Sequence, residues 1–162
     1  MRNLLKALFL VAAVFSFAGR PGAAHAAGII EGSLGKGAQV KPETQAQPIN
    51  VMVAPGFAFP LVRLQLGLVA DLPDVKESKF DIGLRPMLTI SPPILPLYAR
   101  LILAANNLTH SELRSLAYGG AVGLSVSLVG IGIFAEAGLL PRNKDDQFLW
   151  VVEGRAGVSF EF

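Results

Sequence analysis

The chain has 162 residues, 52% of them apolar, with 17 glycines, 11 prolines, no cysteine and a formal net charge of +2. Without cysteine there is no disulfide framework and no thiolate metal site; the length suits one domain, and the small charge gives no reason to expect a nucleic-acid partner. That much apolar surface in so small a chain has to be buried, left as aggregating patches, or placed in lipid.

The first stretch, MRNLLKALFLVAAVFSFAGRPGAAHA, has the parts of a secretory signal. Arg2 and Lys6 make a short positive region, Ala7 to Ala18 an apolar run, and Ala24-His25-Ala26 a small-x-small cleavage site. Arg20 and Pro21 interrupt the run before the roughly 20 apolar residues that a membrane-anchored helix needs. Residues 1–26 are therefore expected to be a cleaved leader and residues 27–162 the folded domain. Of the 14 basic residues, removing Arg2, Lys6 and Arg20 leaves 11 against 12 acidic ones, so the basic character belongs largely to the leader.

Strand-like segments follow in order. AGIIEGSLGKGAQV (Ala27 to Val40) is a weak one, diluted by glycine and charge, and INVMVAPG (Ile49 to Gly56) is a second. In PLVRLQLGLVADL, Val62, Leu64, Leu66 and Leu68 share one parity, and Arg63, Gln65 and Gly67 the other. In KFDIGLRPMLTI, Phe80, Ile82, Leu84, Pro86, Leu88 and Ile90 oppose Asp81, Gly83, Arg85, Met87 and Thr89. Proline lacks a ladder donor, so a local bulge is expected at Pro86. In LYARLILAA, Leu97, Ala99, Leu101 and Leu103 oppose Tyr98, Arg100 and Ile102. Successive side chains of a strand point to opposite faces, so each segment has one apolar and one polar face.

From Ser115 to Ala135 there is no charge for 21 residues, long enough for a membrane helix. Two observations favour a hairpin. Val122, Leu124, Val126 and Leu128 alternate with Gly123, Ser125 and Ser127; the apolar parity then shifts to Ile131, Ile133, Ala135, Ala137 and Leu139, as a two-residue turn at Val129-Gly130 requires. Five glycines in the stretch also weaken a helix. In the last segment, Phe148, Trp150, Val152, Gly154, Ala156, Val158, Phe160 and Phe162 form an apolar face with aromatics at both ends, opposite Glu153, Arg155 and Glu161.

Eight segments result, and the connections alternate: long at VKPETQAQP, PDVKESK, NNLTHSELRS and PRNKDDQ, short at PGFAFP, SPPILP and VG. Long loops on one side and tight turns on the other, with aromatics at the rims of an apolar belt, are features of membrane-spanning barrels. In hydrocarbon every backbone polar group must pair within the protein, so strands survive there only as a closed sheet. The expected fold is all-β: a closed antiparallel up-and-down transmembrane barrel of eight strands.

With this alternation and the terminal GVSFEF, residues 27–162 resemble the small eight-stranded outer-membrane β-barrels of Gram-negative bacteria, the OmpA/OmpX-like class. The resemblance implies that Val158, Phe160 and Phe162 form a C-terminal signal for the barrel-assembly machinery, that Phe80, Phe148 and Trp150 are interfacial aromatics, and that the chain is a monomer in outer-membrane lipid. It implies a structural, adhesive or weakly permeable role in the envelope and no catalysis.

By parity the lumen receives Arg63, Gln65, Asp81, Arg85, Arg100, Glu136, Glu153 and Arg155. Buried charges are costly unless paired, so an interleaved ion-pair network is expected in preference to an open pore. The alternative function is hydrolysis. His110, Ser111 and Glu112 are the residue types of an acyl hydrolase such as a lipid A deacylase, but neighbours in an extended chain point apart whereas a triad converges. Asp145-Asp146 reads as a solvated charge pair, and no metal or cofactor is expected. A periplasmic or secreted β-protein is the remaining alternative.

Overall fold

The computed structural model describes residues 26–41, 44–72, 81–92, 95–106, 108, 115–144 and 147–162. Its strands are β1 (Ala27–Lys41), β2 (Gln45–Ala58), β3 (Val62–Asp71), β4 (Asp81–Ile90), β5 (Leu97–Asn106), β6 (Ser115–Leu128), β7 (Ile131–Leu139), β8 (Arg142–Lys144) and β9 (Gln147–Glu161). The predicted leader, residues 1–26, lies outside the described residues except for Ala26. The domain boundary that depends on it stays an expectation.

Strands β1 to β7 pair in chain order, β9 pairs with both β7 and β8, β8 also pairs with β6, and β1 pairs with β9, so the sheet closes on itself. Closure runs to the last residue: the Gly28 N–H donates to the Phe162 carbonyl at 2.8 Å and the Phe162 N–H to the Gly28 carbonyl at 2.9 Å. The nine segments make eight staves, because β7 and β8 are one stave interrupted at Leu140-Pro141. Against β6 the pairing passes from Gly120↔Leu139 to Ala117↔Arg142, and against β9 from Leu139↔Val152 to Arg142↔Leu149. Both steps are three residues on each strand, so the register is kept; only the proline, which has no N–H, breaks the ladder.

The stagger of the barrel can be followed along the rungs. Gly28 pairs with Phe57, then Leu64, Leu88, Leu101, Gly120, Leu139 and Val152, and the circuit returns to β1 at Ala38, ten residues from its start. With strands about 4.8 Å apart and about 3.3 Å of rise per residue, that stagger tilts the staves by about 40°. The ten residues from Phe160 to Trp150 then span about 25 Å of height, the height of the apolar band of an outer-membrane barrel.

The hairpin reading of 115–135 holds, since β6 and β7 meet at Val129-Gly130 with Leu128 opposite Ile131. Both turn residues have positive φ, 51° at Val129 and 79° at Gly130, as a type I′ turn requires. A β-branched residue is disfavoured in that conformation and asparagine is enriched there. Val129→Asn is therefore expected to stabilise the barrel by about 1 kcal/mol, read as a higher urea midpoint in vesicles.

Two expectations are corrected. No bulge occurs at Pro86. It pairs with Leu66 in an unshifted register, and toward β5 the ladder lapses between Leu84↔Ala105 and Met87↔Ile102, then resumes in step. The ladder thus loses two rungs at Arg85-Pro86 without gaining a residue. A bulge lies instead at Pro48 of β2: between Lys36↔Ile49 and Ala38↔Ala46, Gly37 alone stands against Gln47 and Pro48. The first and last connections are also shorter than expected. β1 continues to Lys41 and β2 already begins at Gln45, while β8 continues to Lys144 and β9 begins at Gln147. Pairing across the closed sheet extends polar chain that a pattern search reads as loop.

The outward face is dominated by apolar side chains, including Leu34, Val53, Leu68, Leu101, Val122, Ile133 and Val158. Inside, a cluster of Met52, Ala54, Val69, Met87, Ile102, Ala104, Ala117, Ala121 and Leu140 packs the lumen beside the charged residues.

Candidate functional site

Inward parity brings charged side chains of β1, β3, β4, β5, β7 and β9, from distant parts of the chain, into one column. The order of contacts is Glu161, Arg63, Glu31, Arg100, Glu136, Arg155, Glu153, Arg85, with alternating sign throughout. Successive nitrogen–oxygen distances are 3.0, 4.0, 2.9, 3.1, 3.9, 2.6 and 2.6 Å. Four arginines meet four glutamates, so the column is neutral as a whole.

Arg100 is its centre. Its side chain is 1% exposed, and its Nη2 donates to both oxygens of Glu31 at 3.1 and 2.9 Å. Nη1 donates to Glu136 Oε1 at 3.3 Å, and Nε to Thr89 Oγ1 at 2.9 Å. The guanidinium carbon also lies 5.3 Å from the Tyr98 ring centre and 5.6 Å from that of Phe134, within cation–π range. The Tyr98 hydroxyl donates to Glu136 Oε2 at 2.7 Å. Room for this ring comes from Gly123, where a Cβ would collide with the Tyr98 phenol and the Ala135 carbonyl.

The second centre is Glu153. Arg85 grips it with two bonds, Nη1 to Oε1 at 2.6 Å and Nη2 to Oε2 at 3.0 Å. Arg155 adds Nη2 to Oε1 at 2.6 Å, bonds Ser33 Oγ at 2.9 Å through Nη1, and reaches Asn50 Oδ1. Charge-assisted, bidentate bonds of this kind compensate buried ions far better than single neutral ones. An eight-stranded interior is just wide enough to be filled by side chains, and here charge and apolar groups fill it together.

Six of the eight residues predicted for the lumen stand in this column: Arg63, Arg85, Arg100, Glu136, Glu153 and Arg155. Gln65 is also inside and buried; among the described residues its Nε2 reaches the Ala54 carbonyl at 3.5 Å and its Oε1 meets no hydrogen-bond partner. Asp81 sits at the start of β4, where its Oδ1 accepts the Ile82 N–H at 2.8 Å.

No protein-family model and no curated protein matches the chain. Among solved structures it is similar to neisserial surface protein A (NspA), with a TM-score of 0.61 and 16% identity over 85% of this chain and 99% of that one. The fold is that of the small outer-membrane β-barrels. A second similar structure is the N-terminal β-barrel domain of Pseudomonas aeruginosa OprF, at TM-score 0.48 and 17% identity over 83% of this chain and 97% of that one.

Within this outer-membrane barrel fold, sequence reading missed Glu31 and Glu161, together with the neutral supports Tyr98, Thr89, Ser33 and Asn50. Tyr98, Thr89 and Glu161 do carry the inward parity. Glu31, Ser33 and Asn50 lie in β1 and β2, where glycines at 28, 32, 35 and 37 blur the alternation; counting Glu31 as opposite in parity to Ile30 and Leu34 would have found it. Of the expected interfacial aromatics, Trp150 faces outward; Phe80 and the side chain of Phe148 lie outside the described residues, as do His110, Ser111, Glu112, Asp145 and Asp146. Among the described residues no group of three or more acidic, histidine or cysteine side chains could hold a metal.

Proposed function

We propose that the chain is a non-enzymatic, monomeric β-barrel of the outer membrane, reached by secretory export, with a role in envelope structure or surface binding. One observation carries this reading: the apolar belt faces out around the closed sheet while the arginines and glutamates pair inside it. A water-soluble barrel would have the reverse segregation. The filled lumen favours a structural or binding role over passage of solutes, and the loops between the staves are where a surface partner would be met. In this reading Val158, Phe160 and Phe162 present the strand that the barrel-assembly machinery receives. The two phenylalanines are outward and exposed on the closing stave, accessible before β1 and β9 join.

The test is gel mobility of the protein from isolated outer membranes in SDS, with and without boiling. A band in the outer-membrane fraction whose mobility changes on boiling is expected, since closed barrels stay folded in cold detergent. Recovery in the soluble fraction with no shift would refute the proposal.

A further inference from the structure

Two lysines break the segregation of charge. Lys36 pairs directly with Ile49 on β2 and Gly154 on β9, both on the outer face. Direct partners in an antiparallel ladder share a face, so Lys36 projects into the apolar belt. Lys41 pairs with Trp150, which also faces outward. Among the strand residues whose side chains are described, the other charged ones follow the inward parity.

The depth of Lys36 makes it costly. Gly154 lies between Trp150 and Phe160, nearer the former, which puts Lys36 inside the belt, roughly 7–10 Å below the level of Trp150 at this tilt. A lysine there is destabilising unless its ammonium reaches an interface or a counter-anion, and its four-carbon stem allows it to rise toward the rim. No salt bridge among the described residues involves it. The wall beside it is recessed, because its partner on β9 is Gly154, where a Cβ would meet nothing within 4 Å. The bulge at Gln47 and Pro48 adjoins Lys36 on its other side, and bulges re-aim neighbouring side chains.

We infer that Lys36 and Lys41 bind the phosphate of an anionic lipid in the leaflet on the long-loop side. Trp150 lies at the edge of the site, and an acyl chain runs along the recess at Gly154. Charge complementarity selects this occupant: two cations lie on an apolar wall whose other charges point inward. The inference rests on the reading that the belt lies in lipid.

Trp150 is the single tryptophan of the chain, so its fluorescence reports this site alone. The barrel is folded into vesicles of phosphatidylcholine and phosphatidylglycerol at fixed mole fractions, with one lipid or the other brominated as a quencher. Brominated phosphatidylglycerol is expected to quench Trp150 as though enriched about fivefold over its bulk fraction. The preference should vanish in Lys36→Gln/Lys41→Gln and survive in Lys36→Arg/Lys41→Arg, each checked for its cold-SDS mobility. Equal quenching by both lipids in the unaltered chain, or a preference that persists in the glutamine variant, would overturn the site and leave the membrane reading intact. No quenching by either lipid would overturn both.

Discussion

Arg100→Met is expected to cost the barrel about 3–5 kcal/mol, because it leaves two buried carboxylates without their cation. Glu31 and Glu136 both depend on this one guanidinium, at 2.9 and 3.1 Å, and both are buried with it. Their remaining contacts are weaker. Glu31 keeps Arg63 at 4.0 Å, and Glu136 keeps the Tyr98 hydroxyl at 2.7 Å and Arg155 at 3.9 Å. The loss is not the worth of the ion pairs, since desolvation offsets most of that; it is the cost of stranded charge. Adding Glu31→Gln and Glu136→Gln to the methionine variant should therefore recover much of the stability. Urea unfolding in vesicles measures both, and a single variant as stable as the parent would show that the column does not support the lumen.

Leu101→Arg is expected to destabilise the membrane-inserted barrel by about 2–4 kcal/mol, from the depth at which the charge is placed. Leu101 is 60% exposed and pairs with Leu88 and Gly120 near mid-height on the outer face. Leu128 is 78% exposed but adjoins the β6–β7 turn, so Leu128→Arg should cost only about 0–1 kcal/mol. The contrast isolates depth, since both substitutions place the same charge outside the same barrel. Equal effects at the two positions would mean that the apolar belt is not matched to a bilayer.

How much of this was legible in the sequence differs by stave. In β9 every second residue from Trp150 to Phe162 is outward as its parity says, and Glu153 and Arg155 are inward. In β5 the same holds for Tyr98 and Arg100. In β1 the glycines made the face of Glu31 hard to see, and with it half of the partners of Arg100. Pro48, placed in a loop by its polar surroundings, turned out to sit at a bulge inside a strand, whereas Pro86 was absorbed without one. A proline disturbs a sheet according to which neighbour would have received its N–H, and only the pairing reveals that.

The sequence by itself determined which face each well-patterned residue takes, because period-two alternation is a property of the extended backbone and needs no partner. From that alone come the apolar belt, the closed eight-stave architecture and the membership of most of the lumen. The tertiary structure alone decided who meets whom inside. Arg100 reaches Glu31 across a separation of 69 residues, and Arg85 reaches Glu153 across 68, through a stagger of ten residues around the barrel. That stagger is fixed when β1 closes on β9, a condition on the whole circuit of strands that no local stretch of chain carries.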